Sequence, residues 1–64
     1  MKKIIKISDN YYLMQLLSDL NKRFTLYWTP NKNEAKVFTD MSMLNLAIAL
    51  CNSESITIQL EDIN

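Results

Sequence analysis

The chain contains no glycine, no histidine, one cysteine and one proline. Each scarcity excludes something. Without glycine there is no phosphate-cradling glycine-rich loop. Turns that require positive φ fall to the residues that tolerate it next best, and Asn21, Asn31, Asn33 and Asn52 are the candidates. Without histidine the usual zinc ligand sets are missing. With Cys51 alone, no disulfide can close within the chain. No apolar run reaches the roughly 18 residues of a membrane span. Near the start, Lys6 and Asp9 interrupt the apolar stretch a signal peptide needs. A lone cysteine in an apolar run suits a reducing compartment, so the expected location is the cytoplasm.

What is present is 64 residues of neutral net charge. That length fits a single domain, residues 1–64, with a small core. Such cores seldom yield more than about 3–5 kcal/mol of net stability, and disulfides and metals are ruled out as supplements. The charge is unevenly spread. Residues 1–36 hold all seven basic side chains against Asp9, Asp19 and Glu34, a balance of +4. Residues 37–64 hold Asp40, Glu54, Glu61 and Asp62 with no basic residue, a balance of −4. Folding either displays this as a basic side and an acidic side, or interleaves the halves so that charges pair across strands.

Lys3 to Ile7 is β-prone, with Ile5 and Ile7 on one face and Ile4 and Lys6 on the other. Ser8-Asp9-Asn10 is a turn cluster. Residues 11–17 are ambiguous. Leu13, Leu16, Leu17 and Leu20 follow a helix stripe, which periodicity slightly favours, whereas Tyr11 and Tyr12 suit a strand. Phe24 to Thr29 alternates as a strand and stops at Pro30-Asn31. Asn33 to Lys36 reads as one helical turn. Thr39 or Asp40 caps a helix over about 41–52. Ser55 to Glu61 alternates strictly, with Ile56, Ile58 and Leu60 inward. The expected core is these three with Leu26, Trp28, Phe38, Leu44 and Ala47.

Tyr12-Leu13, Trp28-Thr29 and Ala35-Lys36-Val37-Phe38, followed by an alanine-bearing helix and an isoleucine-rich strand, form a layout over about residues 3–61. It resembles many small proteins encoded by bacterial viruses and mobile elements. In that group Tyr-Leu lies on a strand pairing with the Trp-Thr strand, so the resemblance implies strand for residues 11–17. This chain departs from the group at Asn21-Lys22, where such hairpins often carry glycine. The implied fold is α+β: a small antiparallel sheet in the order β-β-β-α-β, with one main helix packed on one face. Trp28, Ala35 and Phe38 would then form one apolar cluster.

No arrangement of side chains points to catalysis, a cofactor or a metal. Glu61 and Asp62 are adjacent, so on a strand they point to opposite faces. Cys51 lies late in a helix, where the dipole disfavours a thiolate. The expected role is therefore non-enzymatic binding. The resemblance implies an accessory protein acting stoichiometrically on a host protein, most concretely an inhibitor of a bacterial defence system of the anti-CRISPR type. Asp40, Glu54, Glu61 and Asp62 would face a nucleic-acid-binding site on that protein and imitate phosphates. A second reading is nucleic-acid binding by the basic, aromatic-rich half, through Lys2, Lys3, Lys6, Lys22, Arg23 and Tyr27. A third is a homodimer. The helix carries apolar residues over roughly 220°, more than the ~100° one sheet covers. Leu46, Leu50 and Met43 would meet a second copy or a partner.

Overall fold

The computed structural model describes residues 1–8, 10–21 and 23–63. In chain order they form β1 (Lys3–Ser8), β2 (Tyr11–Ser18), β3 (Phe24–Thr29), a 3-10 turn (Lys32–Glu34), α1 (Met41–Ser53) and β4 (Gln59–Asp62). The strands make one antiparallel sheet in the order β3-β2-β1-β4. The fold is α+β with the expected β-β-β-α-β succession.

Residues 11–17 lie on a strand, although their leucines are spaced as on a helix. A bulge reconciles the two. Leu13 pairs with Trp28 and Gln15 with Tyr27, so Met14 is an extra residue in β2. One extra residue shifts the two-residue alternation by one, and Leu13 and Leu16 then share a face despite their i, i+3 spacing. Leu16 sits opposite Leu26 on that face. Leu17 falls on the other face and is exposed.

The core occupies the face beneath α1. Ile5, Leu13, Phe38, Leu44 and Ala47 are buried there, with Leu16, Leu26, Trp28, Ile48 and Ile58 packed against them. Leu26, Trp28, Ile56 and Ile58 are half-buried rather than fully buried. Leu60 departs from expectation. It lies opposite Ile5 in the register, yet stays 43 % exposed. Burial of the middle strands gives the reason: the core is centred on β1 and β2, and β4 is an edge strand. The last strand also starts later than its alternation suggests. It begins at Gln59, since Ile56 is still engaged in ending the helix.

Both ends of α1 are capped. Asp40 accepts a hydrogen bond from the Ser42 N–H at 3.0 Å, a standard N-cap. At the other end the Ser55 N–H donates to the Asn52 carbonyl and the Ile56 N–H to the Cys51 carbonyl, at 3.0 and 2.9 Å. This is a Schellman arrangement. It places Ser55 in the left-handed region with φ 59°. Among the described residues Ser55 is the only one with positive φ, so the expected asparagines do not fill that role. Asn31 instead caps the 3-10 turn, accepting from the Asn33 N–H. The β2–β3 connection closes without glycine because the Asp19 carboxylate accepts from both the Asn21 and Arg23 N–H groups at 2.9 Å. Asp9 and Lys22 lie outside the described residues.

Residues 36–38 complete the sheet. β1 and β2 pair near Lys6–Tyr12 and Ser8–Tyr11. Farther along, Lys36 donates to the Leu13 carbonyl at 2.8 Å, while Phe38 exchanges two backbone bonds with Lys3 at 2.8 and 3.0 Å. The segment thus supplies partners to backbone groups of both strands. Phe38 enters the core by this route, 2 % exposed. Ala35 does not join Trp28 and Phe38 in one cluster. It lines a cleft with Ile4 and Val37, because alternation along this extended segment turns residues 35 and 37 to the face opposite Phe38.

Candidate functional site

The sheet face away from α1 carries the polar and exposed features that a partner would meet. Alternation places Ile4 and Lys6 of β1, Tyr12 of β2, Thr29 of β3 and Glu61 of β4 on it. The register agrees: Glu61 lies opposite Ile4, Lys6 opposite Tyr12, and Tyr12 opposite Thr29. The 3-10 turn sits over this face, held by the end of β3. The Thr29 hydroxyl donates to Glu34 Oε1 at 2.8 Å and accepts from the Asn31 N–H at 3.1 Å. Thr29 is itself buried.

That anchoring brings Lys32 to Glu61. The Glu61 carboxylate pairs with Lys32 through one oxygen and lies 3.4 Å from Lys6 Nζ through the other. The hydrogen bond from Lys32, reinforced by Lys6, holds the Glu61 carboxyl below the ordinary carboxylate range. In return Glu61 raises the Lys32 ammonium above its usual value. Both groups therefore remain ionised around neutrality, which suits an electrostatic clamp and not proton transfer. Cys51 is buried, and burial, with Glu54 nearby, pushes its thiol up. Beside the clamp is a cleft of about 280 Å³ lined by Ile4, Lys32, Asn33, Ala35, Val37 and Ile63.

The β2–β3 half of the same face is open. Gln15, Leu17, Thr25 and Tyr27 are all exposed there. Leu17 lies opposite Thr25 and Gln15 opposite Tyr27. Leu17 and Tyr27 are therefore diagonal neighbours, 46 % and 42 % exposed.

The four carboxylates expected to form an acidic face do not share one. Asp40 caps the N-terminus of α1 and Glu54 its C-terminus; a helix of that length separates them by roughly 20 Å. Glu61 and Asp62 point to opposite sheet faces, as adjacent strand residues must. Both pair with lysines of the N-terminal half, Asp62 with Lys3 at 2.6 Å. The charge asymmetry is thus largely interleaved by β4 returning beside β1.

The basic set is dispersed in the same way. Lys3 and Lys6 alternate to opposite faces of β1 and are ion-paired. Lys2, Arg23 and Tyr27 are exposed. On the helix, Met43 is exposed while Leu46 and Leu50 are half-buried. Ile48 packs on the core, so the uncovered apolar margin is Met41 and Met43.

Sequence reasoning overlooked the Leu17–Tyr27 pair and the Lys32–Glu61–Lys6 clamp. The alternation of Phe24 to Thr29 does place Tyr27 away from the core. Leu17 was concealed by its place in the leucine stripe. No helix is long and apolar enough to cross a membrane. No protein-family model matches the chain, and neither a curated protein nor a solved structure matches it at a significant level.

Proposed function

We propose that this chain is a non-enzymatic accessory protein of a bacterial virus or mobile element that binds a host protein stoichiometrically, most concretely as an inhibitor of a bacterial defence system. The observation that supports binding is the open half of the sheet, where Leu17 and Tyr27 stand side by side without cover. Tyrosine supplies a large contact area at low entropic cost and is enriched among residues that dominate interface energies. The viral setting and the host partner rest on the resemblance of the Tyr-Leu, Trp-Thr and Ala-Lys-x-Phe layout. Phosphate mimicry by a carboxylate array is not part of this reading, because the four carboxylates are dispersed. Nucleic-acid binding is the weaker reading, since Lys3, Lys6 and Lys32 are already engaged by carboxylates.

The test is affinity capture from host lysate, with and without nuclease, using the wild type and the Tyr27→Ala/Leu17→Ser variant. A host protein retained after nuclease by the wild type and lost by the variant is the expected result. Loss of every partner on nuclease treatment would establish the nucleic-acid reading instead. An unchanged partner set with the variant would remove the open sheet half from the interface.

A further inference from the structure

We infer that β3 pairs edge to edge with β3 of a second copy, antiparallel about a two-fold axis through Leu26. The inference is independent of the host-protein reading. β3 is an outermost strand of the sheet. Its pairing with β2 fixes which way each backbone group points. The Asp19 N–H donates to the Arg23 carbonyl at 2.9 Å, and Ser18 then faces Phe24. In an antiparallel ladder this phase turns the N–H and C=O groups of Thr25, Tyr27 and Thr29 toward β2 and those of Phe24, Leu26 and Trp28 outward. Among the described residues no backbone group meets the outward set.

Proteins usually shield such an edge with a charged side chain, a proline, a bulge or a covering element. The Phe-Thr-Leu-Tyr-Trp-Thr of β3 contains no charge and no proline. The bulge in this hairpin belongs to β2. The opposite edge is treated differently: β4 reads Gln-Leu-Glu-Asp, and both its acids are paired with lysines.

A second copy fits this edge in one register better than in its neighbours. With Leu26 opposite Leu26 of the second copy, Phe24 lies opposite Trp28 and Thr25 opposite Tyr27. Every outward N–H and C=O of the three residues then finds a partner. Moving the axis to Tyr27 sets Phe24 against Pro30, which has no N–H to give. Moving it to Thr25 sets Trp28 opposite position 22, outside the Phe24–Thr29 strand, and so leaves its outward groups without a strand partner.

Charge supports the same register. Arg23 comes to lie opposite Thr29 of the second copy, and the Thr29 hydroxyl holds the exposed Glu34. Arg23 is exposed and forms no ion pair among the described residues. By alternation both Arg23 and Thr29 belong to the face away from α1. The two-fold therefore creates two Arg23–Glu34 contacts between copies and one continuous sheet. Two-fold dimers are the commonest closed assembly.

Sedimentation equilibrium and amide exchange test this together. The wild type should be a dimer at high micromolar concentration. The Leu26 and Trp28 amides should gain protection as concentration rises, while the Tyr27 amide is protected throughout. Arg23→Glu should weaken association at least about tenfold, and R23E/E34R should recover most of it. Unchanged circular dichroism of the single variant guards against loss of fold. A monomer at hundreds of micromolar overturns the proposal. So does a dimer whose Leu26 and Trp28 amides stay unprotected or whose strength ignores both charge changes, since another surface such as α1 would then hold it.

Discussion

Ser55 occupies a conformation that costs an L-residue with a Cβ roughly 1–2 kcal/mol. It does so because the Schellman bonds at the end of α1 require a left-handed residue and the chain has no glycine. Replacing Ser55 with glycine should therefore stabilise the fold by about 0.5–1 kcal/mol, after the greater entropy of glycine in the unfolded chain is deducted. Urea denaturation would show this as a higher midpoint at unchanged slope; a lower midpoint would refute it. Glu61 controls a second residue-scale effect. Its carboxyl is held below the ordinary range by Lys32 first and Lys6 second. A depressed folded value means the contribution is complete above the ordinary glutamate value of about 4.3 and fades as pH falls through the lower folded value. The wild type should thus lose stability on acidification through that window. Glu61→Gln should flatten this limb of the curve while lowering stability at neutral pH, as followed by thermal melting across pH 2–7.

The strand at 11–18 shows most clearly what a pattern can and cannot disclose. Its leucines recur at helical spacing, and nothing in the spacing itself announces a bulge at Met14. The bulge is a property of the pairing partner, since β2 carries one more residue than β3 between Leu13 and Leu16. Two substitutions separate the strand from the helix. Leu16→Ala should cost about 1–2 kcal/mol, because Leu16 packs against the core. Leu17→Ala should stay within about 0.5 kcal/mol, because Leu17 is exposed. Equal losses at both positions in chemical denaturation would restore the helical stripe. Other elements were legible in the sequence. Asp40 was readable as a cap, and the alternation of Phe24 to Thr29 followed from side-chain type alone. The late start of β4 was not, because Ile56 and Ile58 alternate correctly whether or not a neighbouring strand pairs with them.

At the scale of the molecule, the layer order was legible but the distribution of charge was not. A return strand beside β1 brings Glu61 and Asp62 to Lys3, Lys6 and Lys32, and no composition count reveals which strand neighbours which. The candidate surface was hidden for a related reason. Leu17 and Tyr27 become neighbours only through the β2–β3 register. The path of the chain also has a temporal consequence. β1 precedes the segments that complete its pairing, residues 36–38 and β4, and Lys3 reaches Asp62 across 59 positions. Contacts that close so much chain are formed against a large loss of freedom before they yield stability, which slows folding. The β2–β3 hairpin, closed locally by Asp19, can assemble early. Mutations there should alter the folding rate, while those in β4 should act chiefly on unfolding. A nascent chain would therefore hold this hairpin with an uncovered apolar face until residues 36–38 and β4 arrive to complete the pairing of β1.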